Sequence, residues 1–143
     1  MGEFKKILIP LDGSKHAKQA LAYGIYLAET CRSQLGILYV VDLNLKISSF
    51  EQVSTGGYIP QEVKEDGYKL VMKAMHEIPK EIETLPIVEI GSPAETIVDV
   101  CEREKYNLII MGSRGLGAIQ QIFMGSVSQY VLSHAPCPVM IAR

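Results

Sequence analysis

Residues 107–143 read NLIIMGSRGLGAIQQIFMGSVSQYVLSHAPCPVMIAR, and the reading of this stretch decides the fold. "NLIIMGS" is a short apolar run with no alternation, the pattern of a strand covered on both faces. "GSVSQYVLSHA" places Ser126 as a candidate N-cap with Gln129 three residues on, a capping box, and Pro136 sets the latest end for the helix. "CPVMIAR" returns to a strand pattern, so the segment predicts strand, helix, strand. Between them Gly112, Gly115 and Gly125 supply bends free of side-chain obstruction, grouped near one helix N-terminus.

Working outward, the same rhythm fills the chain. "KKILIPLD" and "QLGILYVVD" are apolar runs that each end in an aspartate, and between them Ser14 caps a helix whose Ala17, Ala20, Leu21, Gly24, Ala28 and Cys31 recur at helical spacing. Val63, Leu70, Val71, Ala74 and Met75 predict an amphipathic helix from Gln61 to about His76, which stops before Pro79. "ETLPIVEIG" follows as a strand whose Glu83, Pro86 and Glu89 suit a sheet border. "GSPAETIVDVCERE" then has Ser92 as N-cap, Pro93 at the first helical position and Glu95 placed for a capping box. The segment from Asp42 to Pro60, with its Gly56-Gly57 pair, reads as a mobile loop. Strands alternating with helices imply one domain over residues 1–143, of class α/β, with a three-layer α/β/α arrangement around five strands.

Composition narrows the function. A net charge of -2, with Lys and Arg scattered among acids, argues against a nucleic-acid partner. No apolar run is long enough to cross a bilayer and no export leader is evident, so no membrane partner and a reduced cytoplasm are expected. Cys31, Cys101 and Cys137 are far apart in sequence, form no CxxC pair and read as small buried hydrophobes. His16, His76 and His134 are dispersed and receive no chemistry.

The glycine cluster invites phosphate. Unpaired amides at a helix start, its partial positive charge and the Ser126 hydroxyl suit an anion. The lysine-bearing phosphate loop is absent, because no glycine here is followed by Lys and then Ser or Thr. The dinucleotide fingerprint is absent too: "GSRGLG" is spaced GxxGxG and follows the fourth strand instead of the first.

The spacing Gly112-x2-Gly115-x9-Gly125-Ser126, with "ILIPLDGS", "YVVD", "GSPAETI" and "LIIMGSRG", resembles the universal stress protein family along the whole chain. In that family Gx2Gx9G[ST] marks members that bind ATP. The resemblance implies an open, all-parallel sheet of order 3-2-1-4-5, the adenine nucleotide alpha hydrolase-like fold, with its first and fourth strands meeting at the switch point where open α/β sheets bind ligands. It implies that Asp12 and Val40 contact ribose and adenine, that Pro10 and Met111 line the base pocket, and that Gly112, Gly115, Gly125 and Ser126 hold phosphate, with Val127 continuing into the helix. Tyr39 and Asn107 stand where members often carry His and Asp.

Arg114 is the one cation in the glycine loop and Lys15 stands at the same end of the sheet, so Mg2+ bridging the phosphates is expected. The expected function is an ATP-binding, nucleotide-dependent regulatory or stress-response module that takes ATP, with ADP or AMP as other occupants, and is not an enzyme. The alternatives are a slow ATPase, a protein that phosphorylates itself at Ser126 or Ser128, and a nucleotide-free interaction protein. The unguarded strand Pro138 to Ala142 predicts a homodimer by edge pairing, which the family also forms.

Overall fold

The computed structural model of the protein describes residues 3–42, 61–113 and 124–143, the side chains of 61–63 excepted. The elements are β1 (Lys6–Leu11), α1 (Lys15–Cys31), β2 (Gln34–Val41), α2 (Gln61–Met75), β3 (Thr84–Ile90), α3 (Pro93–Arg103), β4 (Leu108–Gly112), α4 (Ser126–His134) and β5 (Val139–Ala142). All pairings are parallel and the strand order is β3-β2-β1-β4-β5, as the resemblance implied.

Parallel strands need both faces covered, and side chains that alternate along each strand divide the core accordingly. Ile7, Ile9 and Leu11 of β1 face one way, with Ile37, Ile110 and the small-residue stripe Ala17, Ala20, Leu21 and Ala28 of α1, and with Val71 and Ala74 of α2. Leu8, Leu38, Ile109 and Met111 face the other, against Ile97, Val100 and Cys101 of α3 and Val131 of α4. Because β1 beyond its first residue and residues 35–38 of β2 are buried on both faces, their apolar runs show no polar alternation.

The ends of the helices follow local chemistry. The Ser14 hydroxyl accepts the Ala17 amide at 3.2 Å, capping α1, and the helix ends at Arg32, whose left-handed φ of 57° turns the following Ser33 amide back to the Ala28 carbonyl at 3.0 Å. Ser92 is the N-cap of α3 and Pro93 opens it, but Ser92 makes no side-chain cap bond, so the capping box with Glu95 does not form. In α4 the N-cap is Gly125, one residue earlier than expected, and Ser126 is already helical. The Gln129 amide group therefore reaches the Met124 carbonyl at 3.1 Å instead of closing a box with Ser126. The Asp42 to Pro60 segment lies outside the described residues except for Asp42.

Cys31 also departs from the sequence reading: it is exposed at the end of α1, whereas Cys101 is buried and Cys137 half-buried. At the sheet's amino end Asn107 explains its own presence, since its side-chain oxygen accepts the Lys6 amide at 3.0 Å and its nitrogen donates to the Glu3 carbonyl at 2.9 Å. An aspartate could do only the first of these.

Burial pushes both the Tyr106 hydroxyl and the Cys101 thiol up to about 12. The folded state holds these protons more tightly than the unfolded chain, so the stability they lend is complete below their ordinary values of 10.0 and 9.0 and drains away as pH climbs to about 12. The melting temperature should accordingly fall across that interval, and less steeply in Tyr106→Phe. A flat profile there would show that neither group gains its proton affinity from the fold.

Candidate functional site

The crevice lies where β1 and β4 pair and the chain leaves them for opposite layers: α1 follows β1 on one face, and α4 lies on the other. Several of the residues singled out in the sequence meet at this carboxyl rim. Pro10 is in register with Leu38, so like Leu8 it faces the α3 and α4 layer. Met111 is buried in that same layer, and Val40 and Val127 pack against it half-exposed. These four residues, from β1, β4, β2 and α4, give the rim an apolar wall.

Asp12 stands just past β1 and is half-buried. Its Oδ1 accepts the Ser14 amide at 2.8 Å, an Asx turn that leads into α1, and Gly13 at φ 85° completes the bend. The bend thus serves as a turn and fixes the carboxylate at the rim in one stroke.

Ser113, which follows β4, uses every polar group it has. Its amide donates to the Ala142 carbonyl at 2.8 Å; its carbonyl accepts the Gly125 amide at 2.8 Å and the Ser128 hydroxyl at 2.7 Å; its own hydroxyl sits 2.7 Å from His16 Nδ1. Ser113 and Ser128 are each 2% exposed. One residue therefore ties β5, α4 and α1 together. His16 is brought to the rim by a partner 97 positions away, which no local pattern in the sequence could announce.

Gly112 has a packing reason as well. A Cβ there would stand 2.9 Å from the His16 carbonyl carbon and 3.0 Å from the Ala17 nitrogen, so its absence lets the start of α1 abut β4. Gly125 requires a correction: its amide, read from the sequence as bared, is taken by the Ser113 carbonyl. The donors that open α4 are those of Ser126, Val127 and Ser128, which have no carbonyl one turn earlier within the helix. Ser126 itself is exposed. Arg114 and Gly115 lie outside the described residues, and so does most of the loop that joins β4 to α4.

The arrangement offers, side by side, an apolar wall, a fixed carboxylate and a helix start with outward amides. Such a surface can take a ligand with a flat apolar part, a hydroxylated part and an anionic part. Among the described residues no three His, Cys, Asp or Glu side chains gather in a way that could hold a metal ion. A separate open hollow of about 280 Å³, lined by Lys64, Tyr68, Val88, Glu89 and Ile90, lies at the end of β3, two strands from the crevice. Among the described residues no helix is long and apolar enough to cross a membrane.

Comparison with known proteins agrees with this fold. The model of the universal stress protein family matches residues 3–143. The universal stress protein in the QAH/OAS sulfhydrylase 3'region of Thermus aquaticus is 34% identical over 147 residues, covering 98% of this chain and 99% of its own. Among solved structures, that of the hypothetical protein MJ0577 superposes with a TM-score of 0.83 at 26% identity, over 99% of this chain and 96% of the other. A universal stress protein family protein from Arabidopsis thaliana, At3g01520, with AMP bound, superposes at a TM-score of 0.63 and 19% identity, over 96% of this chain and 90% of the other, a likeness of fold.

The two serines of α4 have different duties, and substitution separates them. Ser128→Ala removes a buried donor from the Ser113 carbonyl and should lower stability by about 1–2 kcal/mol in denaturant titration. Ser126→Ala, at an exposed position, should leave the midpoint nearly unchanged. Equal losses would mean that Ser126 is also part of the scaffold.

Proposed function

The chain belongs to the universal stress protein family, and from that membership we propose that it is a nucleotide-dependent regulatory module that binds an adenine nucleotide, foremost ATP, at the β1 and β4 rim. The observation that carries this reading is the meeting of Pro10, Asp12, Val40, Met111, Ser126 and Val127 at one end of the sheet, above the start of α4. The base lies on the apolar wall of Pro10, Val40 and Met111. The ribose hydroxyls face Asp12, and the phosphates meet the amides of Ser126 and Val127 and the Ser126 hydroxyl. Gly112 and Gly125 act one step back, through the close packing of α1 on β4 and the Gly125 amide bond to Ser113 that set these donors in place. Gly115 and Arg114 complete the phosphate loop of the sequence pattern. The Arabidopsis relative with AMP bound shares the fold, and the complete glycine spacing in this chain is what brings the ligand class to it.

Mg2+ fits this reading as a companion of the phosphates. With no three-ligand cluster among the described residues, its oxygens come from the phosphates and water, a mode that Mg2+ favours over all-protein cages. The ion would screen phosphate charge at a rim where Lys15 and Arg114 are the cations close in sequence.

Within the alternative of self-phosphorylation, Ser128 is a poor acceptor, because its hydroxyl is buried and bonded to the Ser113 carbonyl. Ser126 is the exposed candidate.

Titration calorimetry with ATP and Mg2+ tests the proposal. The protein should bind ATP, and Ser126→Asp should weaken binding by at least about tenfold through charge repulsion, while an acid at the first helical position leaves melting unchanged or slightly raised. Undiminished affinity in that variant would move the phosphates elsewhere.

We further propose a homodimer through β5, whose Val139, Met140 and Ile141 form a half-buried apolar edge. Pairing about a two-fold axis would extend the sheet and cover that edge. Met140→Glu should shift the protein to the monomer position in sizing chromatography. A dimer that survives the charge uses another surface.

A further inference from the structure

Cys101 and Cys137 are 36 residues apart in sequence, yet their sulfurs lie 3.3 Å apart. Cys101 belongs to the second half of α3 and is 1% exposed; Cys137 stands between Pro136 and Pro138, just ahead of β5, and is half-buried. Both residues are free thiols, and the contact is a sulfur hydrogen bond in which either can donate. When Cys101 gives its S–H to the Tyr106 carbonyl at 3.5 Å, Cys137 is the donor between the two sulfurs. The packing explains the approach: α3 and the segment that follows α4 enclose the same apolar layer, to which both cysteines belong.

From this juxtaposition we infer that Cys101 and Cys137 form a peroxide-responsive pair that closes to an intramolecular disulfide. The sulfurs need to move together by little more than an ångström to reach bonding distance, about 2.05 Å. Pro138 restricts the backbone of Cys137 to extended conformations, which limits the motion of the residue that carries this sulfur.

The two residues have unequal parts. Cys137 is the more accessible, so it takes the oxidant: an oxygen of hydrogen peroxide passes to its sulfur, giving a sulfenic acid and one water. The Cys101 sulfur then attacks the Cys137 sulfur, the S–O bond breaks, and the departing hydroxide leaves with the Cys101 proton as a second water. Two thiols lose two electrons and two protons, and one peroxide is reduced to two waters. Burial pushes the Cys101 thiol up to about 12 and raises that of Cys137 as well, so the resting pair is protonated at neutral pH and its oxidation, which runs through the thiolate, quickens as pH rises.

The location gives the pair its use. Strands run parallel and helices return, so the end of α3 and the start of β5 lie at the amino edge of the sheet, opposite the rim proposed for the nucleotide. A bond there fastens α3 to the residue leading into the edge strand without occupying the crevice. Cys31, exposed on α1, has no part in it.

The test uses the intact protein and a Cys31→Ser variant, the latter to remove links between chains. Each is treated with hydrogen peroxide, denatured, blocked with iodoacetamide and digested for mass spectrometry. The expected result is one cross-linked pair of peptides containing Cys101 and Cys137, about 2 Da lighter than their sum and separated by dithiothreitol. The inference is overturned if both residues stay fully alkylated after treatment, if Cys137 proceeds alone to the sulfinic acid, or if Cys101 or Cys137 is found linked only to a second chain.

Discussion

The carboxyl rim depends on the single residue that follows β4. Ser113 gives its amide to β5, its carbonyl to both Gly125 and Ser128 of the α4 start, and its hydroxyl to His16 of α1. It sits next to the one strand residue whose missing Cβ lets α1 reach the sheet. Three elements distant in sequence are fixed relative to one another by these bonds, and each brings something to the crevice: α1 the turn containing Asp12, α4 its first amides, and β5 the flank of the sheet. In a dry setting, where Ser113 is 2% exposed, such bonds are costly to leave unmade, and so they specify position as well as adding stability.

That constraint changes what the glycines mean. Read as letters, Gly112, Gly115 and Gly125 look like a bare cradle for an anion. In the folded protein Gly112 serves helix packing and Gly125 gives its amide to the Ser113 carbonyl. The donors proposed to face an anion are instead the next amides along, those of α4's first turn, which have no carbonyl partner within the helix. The link proposed between the motif and a phosphate is thus indirect: Gly112 lets α1 abut β4, and the Gly125 amide is bonded to Ser113, so that the helix start stands near β4.

Much of this was legible in the letters. The five strands and four helices among the described residues fall where apolar runs and helical spacing put them, because unbroken runs such as Ile7–Leu11 are a direct imprint of burial on two faces. Border position was readable for β3 from its charges and Pro86. Strand order was not readable from periodicity, and came from likeness to a family. Helix starts were less secure: at Ser92 and Ser126 the letters of a capping box are present without its bonds, and at α4 a tertiary bond to Ser113 sets the start one residue earlier. Pairs joined across the fold left no trace at all. His16 with Ser113 and Cys101 with Cys137 are separated by 97 and 36 residues, and nothing in either one's neighbourhood names the other.

The central claim is that amides at the start of α4, presented beside β1 by the Ser113 bonds, hold the phosphates of a nucleotide. Backbone amide NMR during titration with ATP and Mg2+ reads those groups directly. The account predicts the largest changes in the amide signals of Ser126 and Val127, with smaller ones at Asp12 and Val40, and little movement at the amino edge around Cys137. Saturable ATP binding that leaves the Ser126 and Val127 signals in place would contradict it.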